Sequence, residues 1–289
     1  MARRKRWEEL PIINGCADVK LFSWKYFTDY VRQEMLDYET YIWRGQRSSN
    51  WRLQSTLDRL IEEAKIAKTK RNNFRKQHLE RFQFSVRGRR GSNPPVIQDE
   101  NDWWSLGQHH GLATPLLDWT SSPFAAAYFA FIGKGTPQTR HRAIYALNMV
   151  GVENKIEKII SINKKYNENL DDANNTSRPK GIIARELLKK SIKPEVQFIR
   201  PKSDENQRLV NQSGLFSRAP DGEDIDSWIQ RNFEGNTKYY QLIKILIPNK
   251  DREEALKMLN RMNINHLTLF PDLYGASKFS NLYGEIERY

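Results

Sequence analysis

The chain has 289 residues, 38% of them apolar and 11% aromatic, and a formal net charge of +12. No run of about 18 apolar residues occurs, so no membrane-spanning helix is expected. Its single cysteine, Cys16, rules out a disulfide framework and a Cys-rich zinc site. The opening MARRKRWEEL has charge with no apolar stretch behind it, so no secretory leader is expected and a cytoplasmic setting fits.

In chain order, residues 1–19 read as an N-terminal arm. Residues 20–37 place Trp24, Phe27, Tyr30, Val31 and Met35 at helical spacing. TYIWRG at 40–45 is β-branched, aromatic and ends at a glycine, which predicts a strand and a turn. From Thr56 to about Ser85 the pattern is helical: Leu57, Leu60 and Ile61 start a stripe that Phe74, His78 and Phe82 continue. Residues 58–90 read as a basic helical insertion. Within them, 64–90 hold ten Lys/Arg against one Glu, nine of the twelve net charges. So concentrated a cationic surface attracts polyanions; a solvated helix face is the competing reading. Lys68, Lys70, Arg71, Arg75, Lys76, Arg87, Arg89 and Arg90 are the candidate nucleic-acid contacts.

RRGSNPP at 89–95 is a loop, and DWWSLGQHHG at 102–111 a short helix stopped by Gly111. TPLLDWT at 114–120 reads as a buried strand. SSPFAAAYFAFIG follows as a helix, with Ser122 able to cap it and Pro123 suited to its first position. RAIYALNM at 142–149 is a strand. Residues 163–180 are polar and Asn-rich and read as an exposed insertion. A helix (IIARELLKK), a strand (195–201), a turn through Gly214 into another strand, the strong strand YYQLIKILIP at 239–248, an amphipathic helix and a last short helix complete the chain. Strands and helices alternate without regular βαβ spacing. The expected fold is therefore a single α+β domain over 1–289, a mixed, mostly antiparallel sheet flanked by helices.

Several residues could carry chemistry. Arg44 sits in an apolar strand before Gly45, where an uncompensated charge is costly. Its fork suits a phosphate or carboxylate ligand, and a buried pair with Asp118 is the alternative. His109 and His110 can act as acid or base, or bond carbonyls at a helix end. With His78, His141 and His266 scattered, no metal site is expected. Thr120, Ser121 and Ser122 lie where a helix N-terminus can hold an anion, or simply cap it. Arg208 and Gln212 stand four apart before Gly214. No G-x-S-x-G, G-x-x-x-x-G-K-[ST] or G-x-G-x-x-G occurs, so hydrolase, P-loop and dinucleotide-fold readings lack their marks.

The blocks WRGQ (43–46) with NWRLQSTLDRL, GQHHGLATPLLDWTSSPFAAAYFAF, NQRLVNQSGLFSR and INHLTLFPDLYGAS resemble, in order, those of the FRG domain family. Trp43 stands where Phe or Tyr is usual, and Pro115 where a basic residue is common. The order of parts is in turn similar to ADP-ribosyltransferases. That resemblance implies an ADP-ribosyltransferase-like fold and NAD as a substrate gripped by Arg44 and Gly45. Thr120, Ser121 and Ser122 would brace the nicotinamide ribose, and Tyr128 or a nearby aromatic would stack on the ring. No E-x-E or Q-x-E stands in a late strand. Gln212 is the first candidate for that slot, Glu195 and Glu234 weaker ones, with His109 or His110 as a base. The implied function is ADP-ribosylation of a macromolecule, with RNA favoured by the basic segment, in a toxin or phage-defence effector restrained by an antitoxin or inhibitor protein. A non-catalytic nucleotide or nucleic-acid binding module of the same fold is the alternative.

Overall fold

A computed structural model describes residues 5–134, 139–175, 195–200 and 214–289. Strands β1 (Trp7–Glu9) and β2 (Cys16–Leu21) join the sheet at once, so the expected N-terminal arm is corrected to two strands. In β2, Ala17, Val19 and Leu21 are buried in alternation with more exposed neighbours, the period of a strand with one face on the core. The helix expected over 20–37 is a composite. A 3₁₀ turn (Trp24–Tyr26) leads into α1 (Phe27–Tyr30) and then a π turn (Val31–Met35).

Strand β3 is Tyr41–Gln46, as its composition predicts, but it runs through Gly45, where a turn was expected, and pairs on to Gln46. Helix α2 (Thr56–Glu63) starts at Ser55, whose hydroxyl accepts from the Asp58 N–H at 3.0 Å. The helix expected from Thr56 to Ser85 breaks at Lys65, whose φ of 52° lies in the left-handed region. It resumes as α3 (Arg71–Ser85). Leu57 and Ile61 are fully buried against Leu79 and Trp104, so the segment expected as an insertion from residue 58 begins inside the core.

Helix α4 is Glu100–His109, followed by Gly111 at φ 86°, and β4 is Leu116–Thr120. Helix α5 (Pro123–Ile132) is capped as expected: the Ser122 hydroxyl accepts from the Ala125 N–H at 3.2 Å. Strand β5 is His141–Asn148. Residues 163–175, expected as an exposed loop, instead continue helix α6 (Met149–Asn175). Val152, Ile156 and Ile159 set its first turns on the core. The helix expected at IIARELLKK lies outside the described residues. Then come β6 (Gln197–Ile199), β7 (Gly214–Arg218), α7 (Ile225–Asn232), β8 (Leu242–Pro248), α8 (Arg252–Arg261), α9 (His266–Leu269) and α10 (Leu273–Glu285).

The strands form one sheet in the order β1-β2-β8-β5-β3-β4-β7-β6, antiparallel at every pairing except β2 with β8. This is the expected α+β architecture. Side chains alternate between two cores. Trp43, Ile144 and Ala146 face α5 and α8, whereas Ile42, Tyr145 and Leu147 face α6 and α7. A third cluster lies beneath α2, α3 and α4. No helix among the described residues is long and apolar enough to cross a membrane.

Candidate active site

The site begins with a weak seam in the sheet. Strands β3 and β4 share a single paired position, Trp43 with Thr120, whereas β3 pairs with β5 over six residues. Gly45 pins β3 against α5. A Cβ there would sit 1.9 Å from the Ala126 carbonyl oxygen and 2.5 Å from the Ala130 nitrogen, so only glycine allows the approach. That close approach sets β3 against α5 and keeps Gly45 at the wall of the site.

Arg44 extends into the seam with its side chain 17% exposed. Its Nη1 donates to the Asp118 carbonyl oxygen at 2.7 Å and lies 3.5 Å from Asp118 Oδ2. Its buried Nε has no partner among the described residues. The pairing with Asp118 foreseen as an alternative is present but incomplete, because that carboxylate is 61% exposed. Arg59 of α2 adds a second cation. Burial, and next the charge of Arg44, lower the pKa of the Arg59 guanidinium, so this side of the seam carries a positive field.

Around the seam lies a cavity of 340 Å³. Trp43, Arg44 and Gly45 line it from β3, and Asp118, Trp119 and Thr120 from β4. Gln108 at the end of α4 and the aromatic rings of Phe129 (α5) and Phe270 complete it. The two phenylalanine rings meet edge to face, 6.1 Å between centroids. Gln108 Nε2 donates to Asp118 Oδ1 at 2.6 Å, and the Thr114 hydroxyl donates to Gln108 Oε1. Thr114 is itself tied to the start of α2, its N–H donating to Thr56 Oγ1 at 2.9 Å. The Asp118 carboxylate is thus oriented by a chain of hydrogen bonds that begins in the core.

The remaining candidates divide. Thr120 lines the cavity, but its hydroxyl also accepts from the Ser122 N–H at 3.1 Å and shapes the turn. Ser122 is the α5 cap, and neither it nor the exposed Ser121 is part of the lining. Tyr128 is fully buried with its hydroxyl 2.5 Å from His266 Nδ1, so it cannot stack on a ligand. Its neighbour Phe129 lines the cavity instead. His109 and His110 close α4, their rings 4.8 Å apart, and do not line the cavity. Gln212, with Arg208, lies outside the described residues. Glu195 accepts from Trp228 Nε1 at 2.6 Å in a separate cleft, and Glu234 is exposed.

That second cleft is larger, 560 Å³, and lined by Glu100, Glu195, Arg218, Asp221, Glu223 and Arg231 among others. Both of its cations are already paired: Arg218 meets Glu100 and Arg231 meets Glu223, both at 2.9 Å. We place the candidate site at the smaller cavity, where a cation is left partly unsatisfied. Among the described residues no group of three His, Cys, Asp or Glu could hold a metal.

Of the candidate nucleic-acid contacts, Arg75 is corrected. It is buried and bound to Asp58 at 2.5 Å and to Asp221 at 3.6 Å, so its charge is spent inside the protein. Arg71 is half-buried, its Nε donating to the Ile66 carbonyl oxygen at 3.2 Å. Lys68, Lys70, Lys76, Arg87 and Arg89 are exposed, and Arg90 is partly so.

The sequence singled out neither Gln108 nor Phe270, reached Phe129 only as an unnamed aromatic near Tyr128, and gave Asp118 a role in the fold. A signal existed only for Asp118, the one charged residue in an otherwise apolar strand.

The FRG domain family model matches residues 39–139, which include Arg44, Gln108, Asp118, Thr120 and Phe129 but not Phe270. No curated protein and no solved structure matches the chain.

Proposed function

We propose that this FRG-domain chain binds NAD in the seam between β3 and β4 and transfers ADP-ribose to a nucleic acid, with RNA favoured. The observation that carries the reading is Arg44, a largely buried guanidinium whose Nε has no partner among the described residues and which lines a cavity walled by two phenylalanines. A phosphate would complete its hydrogen bonding, and a flat heteroaromatic ring suits Phe129 and Phe270. At 340 Å³ the cavity is at the small end of ligand sites, with room for one half of a dinucleotide.

NAD supplies a glycosidic bond at ribose C1′. When that bond breaks, the electron pair leaves with nicotinamide, which becomes neutral. An acceptor oxygen or nitrogen bonds to C1′ and gives its proton to solvent. Arg44 holds the phosphate side. Asp118, oriented by Gln108, presents negative charge to the positive charge that builds on the ribose. With Arg75 neutralised by Asp58 and Asp221, residues 64–90 keep eight net positive charges, which favour a polyanionic acceptor. Such a modification harms the cell that makes the enzyme. The chain then acts as a toxin or defence effector, restrained by an inhibitor protein.

A second reading, a binding module that takes a nucleotide without turnover, is favoured by one observation. Asp118 is the only carboxylate lining the cavity among the described residues, and Arg44 and Gln108 already engage it.

Purified protein incubated with adenylate-labelled NAD and total RNA tests both. Label should enter RNA, and Arg44→Ala should lower transfer and NAD binding at least about tenfold, the loss of one or two charge-assisted hydrogen bonds. NAD binding without transfer to RNA, DNA or protein establishes the second reading. Absence of any NAD binding overturns both.

A further inference from the structure

The basic segment carries more than charge. At the last turn of α3, Phe84 is 68% exposed even though the Arg87 guanidinium lies over its ring at 4.9 Å. The adjoining loop repeats the arrangement. Arg90 sits over the ring of Trp103 at 5.3 Å while donating to the Pro95 carbonyl oxygen at 2.8 Å. Arg89 is held by the Ser85 carbonyl oxygen at 2.9 Å. Arg89 is therefore fixed by a backbone oxygen, which leaves its charge uncancelled. Arg81, Arg87 and Arg89 have no carboxylate partner among the described residues, and Glu80 is the only acid between residues 64 and 90.

From these contacts we infer that the end of α3 and the loop after it form a stacking platform for unpaired bases of a single-stranded nucleic acid. The inference rests on the reading of nucleic acid as the acceptor and specifies its form. An aromatic ring interleaved with guanidinium groups offers flat surfaces for bases and cations for the phosphates between them. A duplex hides its base faces, so Phe84 would gain nothing from it. The first half of the basic segment lacks this combination. Lys68 and Lys70 come without an exposed ring, Arg75 is sequestered by Asp58 and Asp221, and Lys76 lies 3.9 Å from Glu80. The platform also lies close to the cavity along one element. Trp103, beneath Arg90, and Gln108, in the cavity wall, are five residues apart on α4, a rise of about 7–8 Å.

The test measures binding, not turnover. Fluorescence anisotropy of the full chain is followed with a labelled unstructured RNA oligonucleotide, the same sequence as DNA, the RNA duplex, and polyglutamate as a polyanion without bases. Single strands should bind at least about tenfold more tightly than the duplex or polyglutamate. The RNA and DNA arms show which sugar the platform prefers. Phe84→Ala should weaken single-strand binding roughly 5- to 100-fold with the salt dependence unchanged, and Phe84→Trp should restore it. The double variant Arg87→Ala/Arg89→Ala should instead reduce the slope of log affinity against log salt by about 1.4. Phe84 is exposed, so its variants keep the fold. Wild-type affinity in Phe84→Ala, or equal binding of duplex or polyglutamate, overturns the platform. If single strands bind as expected but NAD is never turned over, the platform stands and the transferase reading fails.

Discussion

Two arginines, thirty-one residues apart, are both withdrawn from solvent, and their surroundings set them apart. Arg75 is closed: its side chain is 8% exposed, with Asp58 at 2.5 Å and Asp221 at 3.6 Å, and it joins α3 to α2 and to the turn before α7. Arg44 is open: it has a carbonyl oxygen at 2.7 Å, one largely exposed carboxylate at 3.5 Å and, on a cavity wall, an Nε without a partner among the described residues. Burial alone does not mark a functional cation. What separates the two is whether the protein itself supplies the counter-charge.

The largest effect should fall next to the open arginine. Gly45→Ala would drive a Cβ into the backbone of α5, where no side chain can give way. The expected loss is at least about 3 kcal/mol, seen as a drop in thermal midpoint or failure to fold. The comparison itself is tested by Arg75→Met against Arg44→Met. Arg75→Met leaves Asp58 buried without its partner and should cost about 3 kcal/mol while nucleotide affinity is unchanged. In Arg44→Met the stability should stay within about 1 kcal/mol, because Asp118 can return to water, while nucleotide binding falls at least tenfold. Equal stability losses in denaturant titrations would remove the distinction.

A smaller effect sharpens the picture of buried charge. Burial, and then the hydrogen bond that its protonated form donates to Asp224, push the Asp226 carboxyl up to about 6. A raised folded pKa contributes stability that is complete below the unfolded value and is lost as pH rises through about 6. Asp226→Asn should therefore match wild type near pH 4 and exceed it by about 1–2 kcal/mol near pH 8. His266 runs the other way. Burial holds it down to about 4, so its contribution is lost as pH falls. Subtracting wild type from variant at each pH cancels that contribution.

Much of the frame was legible locally. Ser122 and Pro123 announce α5, Gly111 ends α4, β3 opens on an aromatic and apolar run and β8 is a short run rich in Leu and Ile, all features set within a few residues of chain. The N-terminal strands were missed because β2 interleaves Asp18 and Lys20 with its apolar residues and its partner β8 lies more than two hundred residues away. The Lys- and Asn-rich stretch at 163–175 was misread because its composition resembles a loop, whereas the apolar anchors of that helix come earlier, at Val152, Ile156 and Ile159.

The candidate site was half visible. Arg44 was conspicuous as a charge in an apolar strand, but Phe129 could not be told from Tyr128. One helical step of about 100° sends Tyr128 to the core against His266 and Phe129 to the cavity. Local chemistry along the chain thus specified where strands and helices begin and which charges needed a partner. Whether each charge found one depended on Asp58, Asp118 and Asp221, brought together from distant segments. Counter-charge acts through space over a few ångströms, a distance that chain order does not encode.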